Sequence, residues 1–219
     1  MRQNVSLAEI SDGHLYKAND MVKADCGGCE GCSQCCRGMG SSIILDPYDV
    51  YRLTTGIGKS MQELLATSVE LNVVDGVILP NLKMQGTGEA CAYLDAAGRC
   101  SIHPYRPGIC RLFPLGRHYE NGGLFYFLQT GECVKENRSK VKVSKWIDTP
   151  ELKRNEQFKL QWHDLLSAMT DRVAGEDEGK QREENLLLLR LFYLLPYEGT
   201  TDFYSQFTER MEHWNEQIG

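Results

Sequence analysis

The sequence predicts an α+β fold: a small, irregular cysteine-rich domain with a helical C-terminal region. Three observations carry that reading. All nine cysteines lie between positions 26 and 133, where glycine and proline are also frequent. Short apolar runs bounded by turn residues occur in the same stretch, at 73–84 and 124–128. After Thr149 cysteine disappears, proline and glycine thin out, and apolar residues recur three or four apart. The resulting division is an N-terminal arm over 1–25, a cysteine-cluster domain over 26–145 and a helical region over 146–219.

The elements follow from local chemistry. Residues 1–25 are polar and read as a lead-in arm. Residues 26–40 hold cysteine and glycine without an apolar period, so they read as a loop with no core of its own. After Ile43-Ile44-Leu45, Asp46 is a cap and Pro47 suits a first helical position, predicting a helix through Tyr51 and Leu53 that stops near Gly56. Ser60 with Glu63 three residues later predicts a second, through a capping box. Residues 73–84 read as extended, turning at Asp75-Gly76. Cys91 to Ile102 reads as a small hairpin closed around Gly98. Pro104, Pro107 and Pro114 break any regular element after it, and Asn121-Gly122-Gly123 is a hairpin turn before Leu124–Leu128. Helices are predicted over Leu152–Met169 and Glu183–Tyr197, separated by 175–181. A last one over 201–217 carries Phe203, Phe207, Met211 and Trp214 on one stripe.

Bulk properties narrow the function. A chain of 219 residues, 42% hydrophobic, can bury a core without cross-links. Net charge is -6 and the pI is near 5.4, unlike the basic footprint of a nucleic-acid binder. The first twenty residues lack the apolar core of a signal peptide. The longest apolar runs, Leu186–Leu189 and Leu191–Leu195, fall short of the about 20 residues that span a bilayer. The expectation is a cytoplasmic protein without membrane or nucleic-acid partners, whose thiols stay reduced.

The cysteines carry the chemistry. An odd number rules out complete internal disulfide pairing. Cys26, Cys29, Cys32 and Cys35 repeat at C-x2-C spacing, with Cys36 directly after. Two intervening residues let a tight turn aim both sulfurs at one centre, and thiolates are soft ligands suited to zinc and iron–sulfur. The glycine-rich loop would take its shape from the metal, so the domain is expected to be metal-organised. Cys91, Cys100, Cys110 and Cys133 form a second, spread-out group that joins the first if the hairpins fold back. In an extended backbone Cys35 and Cys36 would point opposite ways and serve different metals, unless one is an inert thiol.

Cys29-x2-Cys32-x2-Cys35-Cys36-Arg37, the next segment Leu45-Asp-Pro-Tyr-Asp-Val-Tyr-Arg52, and Cys91-x8-Cys100-Ser-Ile-His103 with Arg106-Pro107 and Cys110-Arg111-Leu112-Phe113-Pro114 resemble the YkgJ-like cysteine-cluster family. That family is described as a CxxCxxCC zinc- or iron-chelating domain. The resemblance covers roughly 26–135 and implies eight candidate ligands: Cys29, Cys32, Cys35, Cys36, Cys91, Cys100, Cys110 and Cys133. Cys26 lies outside the short signature and stands as a ninth. The family includes flagellin lysine N-methylase-like proteins, so a protein-modifying role, with a protein partner or substrate, is one implication.

The C-x2-C-x2-C run favours iron–sulfur, one or two 4Fe–4S clusters, with zinc as the alternative. Arg37, Arg106 and Arg111 stand beside cysteines and are candidates to donate to sulfur. No P-loop, G-x-S-x-G or H-E-x-x-H occurs, so any catalysis, whether oxidoreductase or protein-modifying, would run through the metal. The alternative function is a zinc-stabilised binding module whose helical tail recruits a partner.

Overall fold

The computed structural model describes residues 6–27, 32–135, 137–175 and 177–218. A single helical turn, α1 (Leu7–Ile10), precedes the strand β1 (Met21–Asp25). The helix α2 (Pro47–Ile57) starts from a reciprocal cap: the Asp46 carboxylate accepts the Asp49 N–H at 3.0 Å and the Asp49 carboxylate accepts the Asp46 N–H at 3.2 Å. Expected to stop near Gly56, it continues to Ile57 and closes at Gly58, whose φ of 70° supplies the left-handed terminus. The helix α3 (Met61–Thr67) carries the expected Ser60–Glu63 capping box.

Gly56 has a different use. A Cβ there would lie 2.3 Å from Cδ1 of the Tyr105 ring. In an open helix, Gly→Ala gains about 1 kcal/mol. Gly56→Ala is expected instead to lower stability in urea denaturation. A gain would mean that Tyr105 moves aside freely.

Two hairpins arise from left-handed turn residues. The strands β2 (Val69–Val74) and β3 (Val77–Leu82) meet at Asp75-Gly76, with φ of 50° and 81°. This hairpin begins earlier than the extended segment the sequence predicts. Short strands β4 (Met84–Gln85) and β5 (Ala90–Cys91) pair next, then a short helix, α4 (Gly108–Leu112). The strands β6 (Leu115–Glu120) and β7 (Gly123–Leu128) turn at Asn121-Gly122. A strand absent from the sequence reading, β8 (Ser139–Lys142), pairs antiparallel with β1 and leads into α5 (Val143–Ile147). Among the described residues every sheet is two-stranded and antiparallel.

The C-terminal helices are α6 (Leu152–Val173), α7 (Glu178–Leu189) and α8 (Phe203–Ile218). Asp177 accepts the Gly179 and Lys180 N–H groups, so α7 starts within the charged stretch expected to separate two helices. It ends in a π-helical turn over 190–194. The Arg210 guanidinium donates to the carbonyls of Leu191, Leu195 and Pro196, which the turn leaves without helical partners. Among the described residues no helix is long and apolar enough to cross a membrane.

Two apolar cores result. The larger joins α2, α3, β2 and β3 to the C-terminal helices, with Phe158 edge-on to Phe203 and Phe207 at 5.1 and 4.8 Å. The smaller holds Val22, Ala24, Leu112, Leu115, Tyr126, Leu128, Val143 and Ile147. The helix α4 straddles them: Ile109 and Cys110 pack on the larger core, Leu112 lies in the smaller.

Candidate metal centre

Backbone pairing assembles the first group of thiols. Cys35 and Cys36 sit in one 3-10 turn, where the Cys36 N–H donates to the Ser33 carbonyl at 3.0 Å. The opposed side chains of an extended pair are therefore not found: in a 3-10 turn successive side chains stand about 120° apart, and the two thiols hydrogen-bond to each other. Arg37 bridges to Ala90, and the Gly38 N–H donates to Glu89, so Cys36 is delivered beside Cys91. The predicted hairpin around Gly98 forms through a Leu94–Cys100 bridge. Asp95 holds it closed, accepting from the Ala97 and Arg99 N–H groups.

Cys91 and Cys100 share one local geometry. Each sulfur accepts a backbone N–H from two residues ahead, Tyr93 and Ile102 respectively. Such donors favour the thiolate, but burial outweighs them and pushes both thiols up. Burial also pushes Cys110 up, aided by the charges of Cys91, Asp49, Cys35 and Cys100. Cys36 is held down by the hydrogen bond from Cys35, which itself is pushed up by sharing that proton and by burial. Cys35, Cys36, Cys91, Cys100 and Cys110 thus repel one another when ionised. A cation among them removes that repulsion, and soft, partly buried sulfurs suit zinc or iron.

A second group gathers on the smaller core. Cys26 comes just after β1, Cys133 comes after β7, and both line a pocket with Cys32 and Cys35. Its apolar wall is Phe113, Pro114 and Trp146, and its volume is about 380 Å³ including space open to solvent. The Trp146 indole donates to the Leu112 and Phe113 carbonyls, fixing that wall to the end of α4. Cys29 lies outside the described residues. Cys32, Cys35, Cys36, Cys91, Cys100, Cys110 and Cys133 are in no disulfide. Among the described residues, no three His, Cys, Asp or Glu side chains are already drawn into one coordination shell.

The three arginines differ in placement. Arg106 lies close enough to Cys35 and Cys100 for its charge to favour their thiolates, and its buried Nε has no hydrogen-bond partner. Arg111 donates to the Pro104 carbonyl at 2.9 Å and the Asp148 carbonyl at 2.7 Å, bracing α4 against α5. Arg37 reaches the Ser33 hydroxyl at 3.5 Å. His103 is held below its ordinary value by burial and by Arg106, Arg111 and Arg99, so its imidazole stays neutral at pH 7.

Asp49 was not singled out by the sequence beyond its place in a helix start. One oxygen caps α2, and the other accepts the Gly108 N–H at 2.7 Å, fixing the start of the Cys110 helix. Lys159 forms a buried ion pair with the neighbouring Asp46. Burial pushes Lys159 down to about 7, while the ion pair works in the opposite sense. Burial also pushes Asp49 from 3.8 up to about 6, against the Gly108 N–H and the charges of Arg117, Arg52 and Arg111. The folded value lies above the unfolded one, so this contribution is fully present below pH 3.8 and is lost as pH rises through about 6. Asn cannot ionise. The stability of wild type relative to Asp49→Asn should therefore fall between those values in urea denaturation. A rise would mean that the arginines outweigh burial.

Soft donors in two gathered groups, with short loops closing around them, define a cysteine-cluster metal-binding domain. Residues 28–133 match the CxxCxxCC family, described as a "putative zinc- or iron-chelating domain". The match covers the cysteine-bearing stretch of the chain, the one that carries the resemblance read from the sequence. No curated protein and no solved structure matches significantly.

Proposed function

We propose that the cysteines hold iron–sulfur, as one or two 4Fe–4S clusters, and that the protein has a redox or protein-modifying role. The observation that carries this reading is the pocket of Cys26, Cys32, Cys35 and Cys133. It has an apolar, aromatic wall and an opening to solvent. Four thiols on one apolar-walled pocket, three of them from the C-x2-C-x2-C-x2-C run, suit a ferredoxin-type cluster. An opening admits an electron partner or a protein side chain to the cluster. Arg106 would offset the negative charge of a thiolate-held cluster and so raise its potential.

Anaerobic purification followed by iron and acid-labile sulfide analysis tests the reading. A brown protein whose visible absorption bleaches on reduction is expected. A colourless protein holding stoichiometric zinc after anaerobic expression overturns it. The second reading is a zinc-stabilised module whose helical tail recruits a protein partner. It is favoured by Cys91 and Cys100, whose N–H-supported loops suit a closed site with no room for substrate.

A further inference from the structure

We infer that the cysteine-cluster domain and the helical region together build a binding site for a small tetrahedral oxyanion such as phosphate, held by Arg52, Arg111, Asn155 and Tyr204. The site lies outside the proposed function and stands whichever metal the thiols hold.

Four helices meet there, α2 and α4 from the domain and α6 and α8 from the helical region. The Tyr48 hydroxyl is at the centre. The charges of Arg52 and Arg111 bear on it, and Tyr204 lies beside it with the two rings stacked 5.9 Å apart. Arg52 and Arg111 are drawn together because both donate to the Pro104 carbonyl. Asn155 of α6 lies close to the Tyr204 hydroxyl.

This seam holds donors without acceptors. Arg52 Nη1, Arg111 Nε, Asn155 Nδ2 and the Tyr204 hydroxyl are buried, and none completes a hydrogen bond among the described residues. Arg111 is only 8% exposed and Asn155 4%, so bulk solvent does not satisfy them. Burying an unpaired donor is costly, and more so for a cation. Four such atoms in one place require an acceptor. The nearby carboxylates are otherwise engaged. Asp49 already accepts the Asp46 and Gly108 N–H groups. Asp148 is 86% exposed and stands 3.6 Å from Arg111 Nη1, on the far side of that guanidinium from its Nε. Glu151 is paired with Arg154.

The ligand's chemistry follows from the donors. All four atoms can donate and two belong to guanidinium cations, so the acceptor is an anion. Arg106 adds its charge to the neighbourhood of Arg111. The donors come from four helices and meet the ligand from different sides. A tetrahedral oxyanion offers oxygens on every side, whereas a planar carboxylate is matched by a single guanidinium fork. The Tyr204 ring also walls an open groove between α6 and α8, with Arg154, Gln157 and Ser205, which gives a small anion a way in.

Calorimetric titration of inorganic phosphate into the purified, metal-loaded protein at fixed ionic strength tests the site. Saturable binding of one phosphate per chain is expected, with sulfate competing and acetate weaker by about tenfold or more. Asn155→Ala and Tyr204→Phe each remove a donor without changing the net charge. Each is expected to weaken phosphate by about tenfold, the weight of one hydrogen bond to a charged group, and to leave the metal content at the wild-type value. Wild-type affinity in both folded variants would put the phosphate elsewhere and overturn the inference. No phosphate binding by the wild type would mean that water completes these donors, which overturns it too. Acetate bound as tightly as phosphate would mean a carboxylate site and overturn the tetrahedral assignment. Should both variants fail to fold, the wild-type comparison of phosphate with acetate decides. A colourless zinc protein that binds phosphate would remove the iron–sulfur reading and leave this site intact.

Discussion

Chelating the metal is expected to dissolve the cysteine segments while sparing the C-terminal helices. Among the described residues from Lys83 to Arg111, Ile102 is the one fully buried side chain of the apolar cores, with Met84, Tyr93 and Ile109 partly buried against the large one. Full burial of Ile102 contributes about 1.5–3 kcal/mol. Ordering the backbone costs about 1–2 kcal/mol for every residue. Local hydrogen bonds do not close a gap of that size, since each adds only about 1 kcal/mol net. Thiolate–metal bonding, on the order of 10 kcal/mol for a structural site, is the largest single stabilising term open to these segments. Limited proteolysis after chelation should cut within 84–110 and leave a protected 152–218 fragment. Circular dichroism should retain most of its helical signal. Unchanged protease resistance would show that these segments hold their shape without metal.

The opposite substitution attacks the large core. Phe207 is buried at 2% exposure, with its ring 4.8 Å from Phe158 and 5.8 Å from Phe192. Phe207→Ala is expected to cost about 3–5 kcal/mol in urea denaturation, from lost burial and the cavity left behind. Metal per folded chain should stay at the wild-type value, because Phe207 packs among the rings of Phe158, Phe192 and Phe203. Metal loss from the folded variant would mean that α8 holds the cysteine domain in shape.

The features legible in the sequence are local ones. Ser60 with Glu63, and Asp46 with Pro47, announce helix starts because caps are chemistry between residues three apart. Asp75-Gly76 and Asn121-Gly122 announce hairpins because few residues accept left-handed turns. The α2 stop was misplaced by two residues because Gly56 and Gly58 look alike in sequence; only the Tyr105 ring separates them. The β1–β8 pair stayed hidden because Met21–Asp25 turns only Val22 and Ala24 inward, and its partner lies over a hundred residues on. Separation in sequence, here 59 residues, also hid the second role of Asp49, whose other oxygen meets Gly108. Spacing marked the thiols as candidate ligands, yet their gathering into groups depends on which core each segment packs against, and no local pattern encodes that.

The clasp between β1 and β8 also sets an order of events during synthesis. Met21 pairs with Lys142 and Val22 with Val141, so the strand that presents Cys26 waits for its partner to leave the ribosome. At about 5–20 residues per second, several seconds separate the two strands. By then Cys36, Cys91, Cys100 and Cys110 have all been made. A nascent chain would therefore have Cys36, Cys91, Cys100 and Cys110 in hand before the pocket of Cys26 and Cys133 can close.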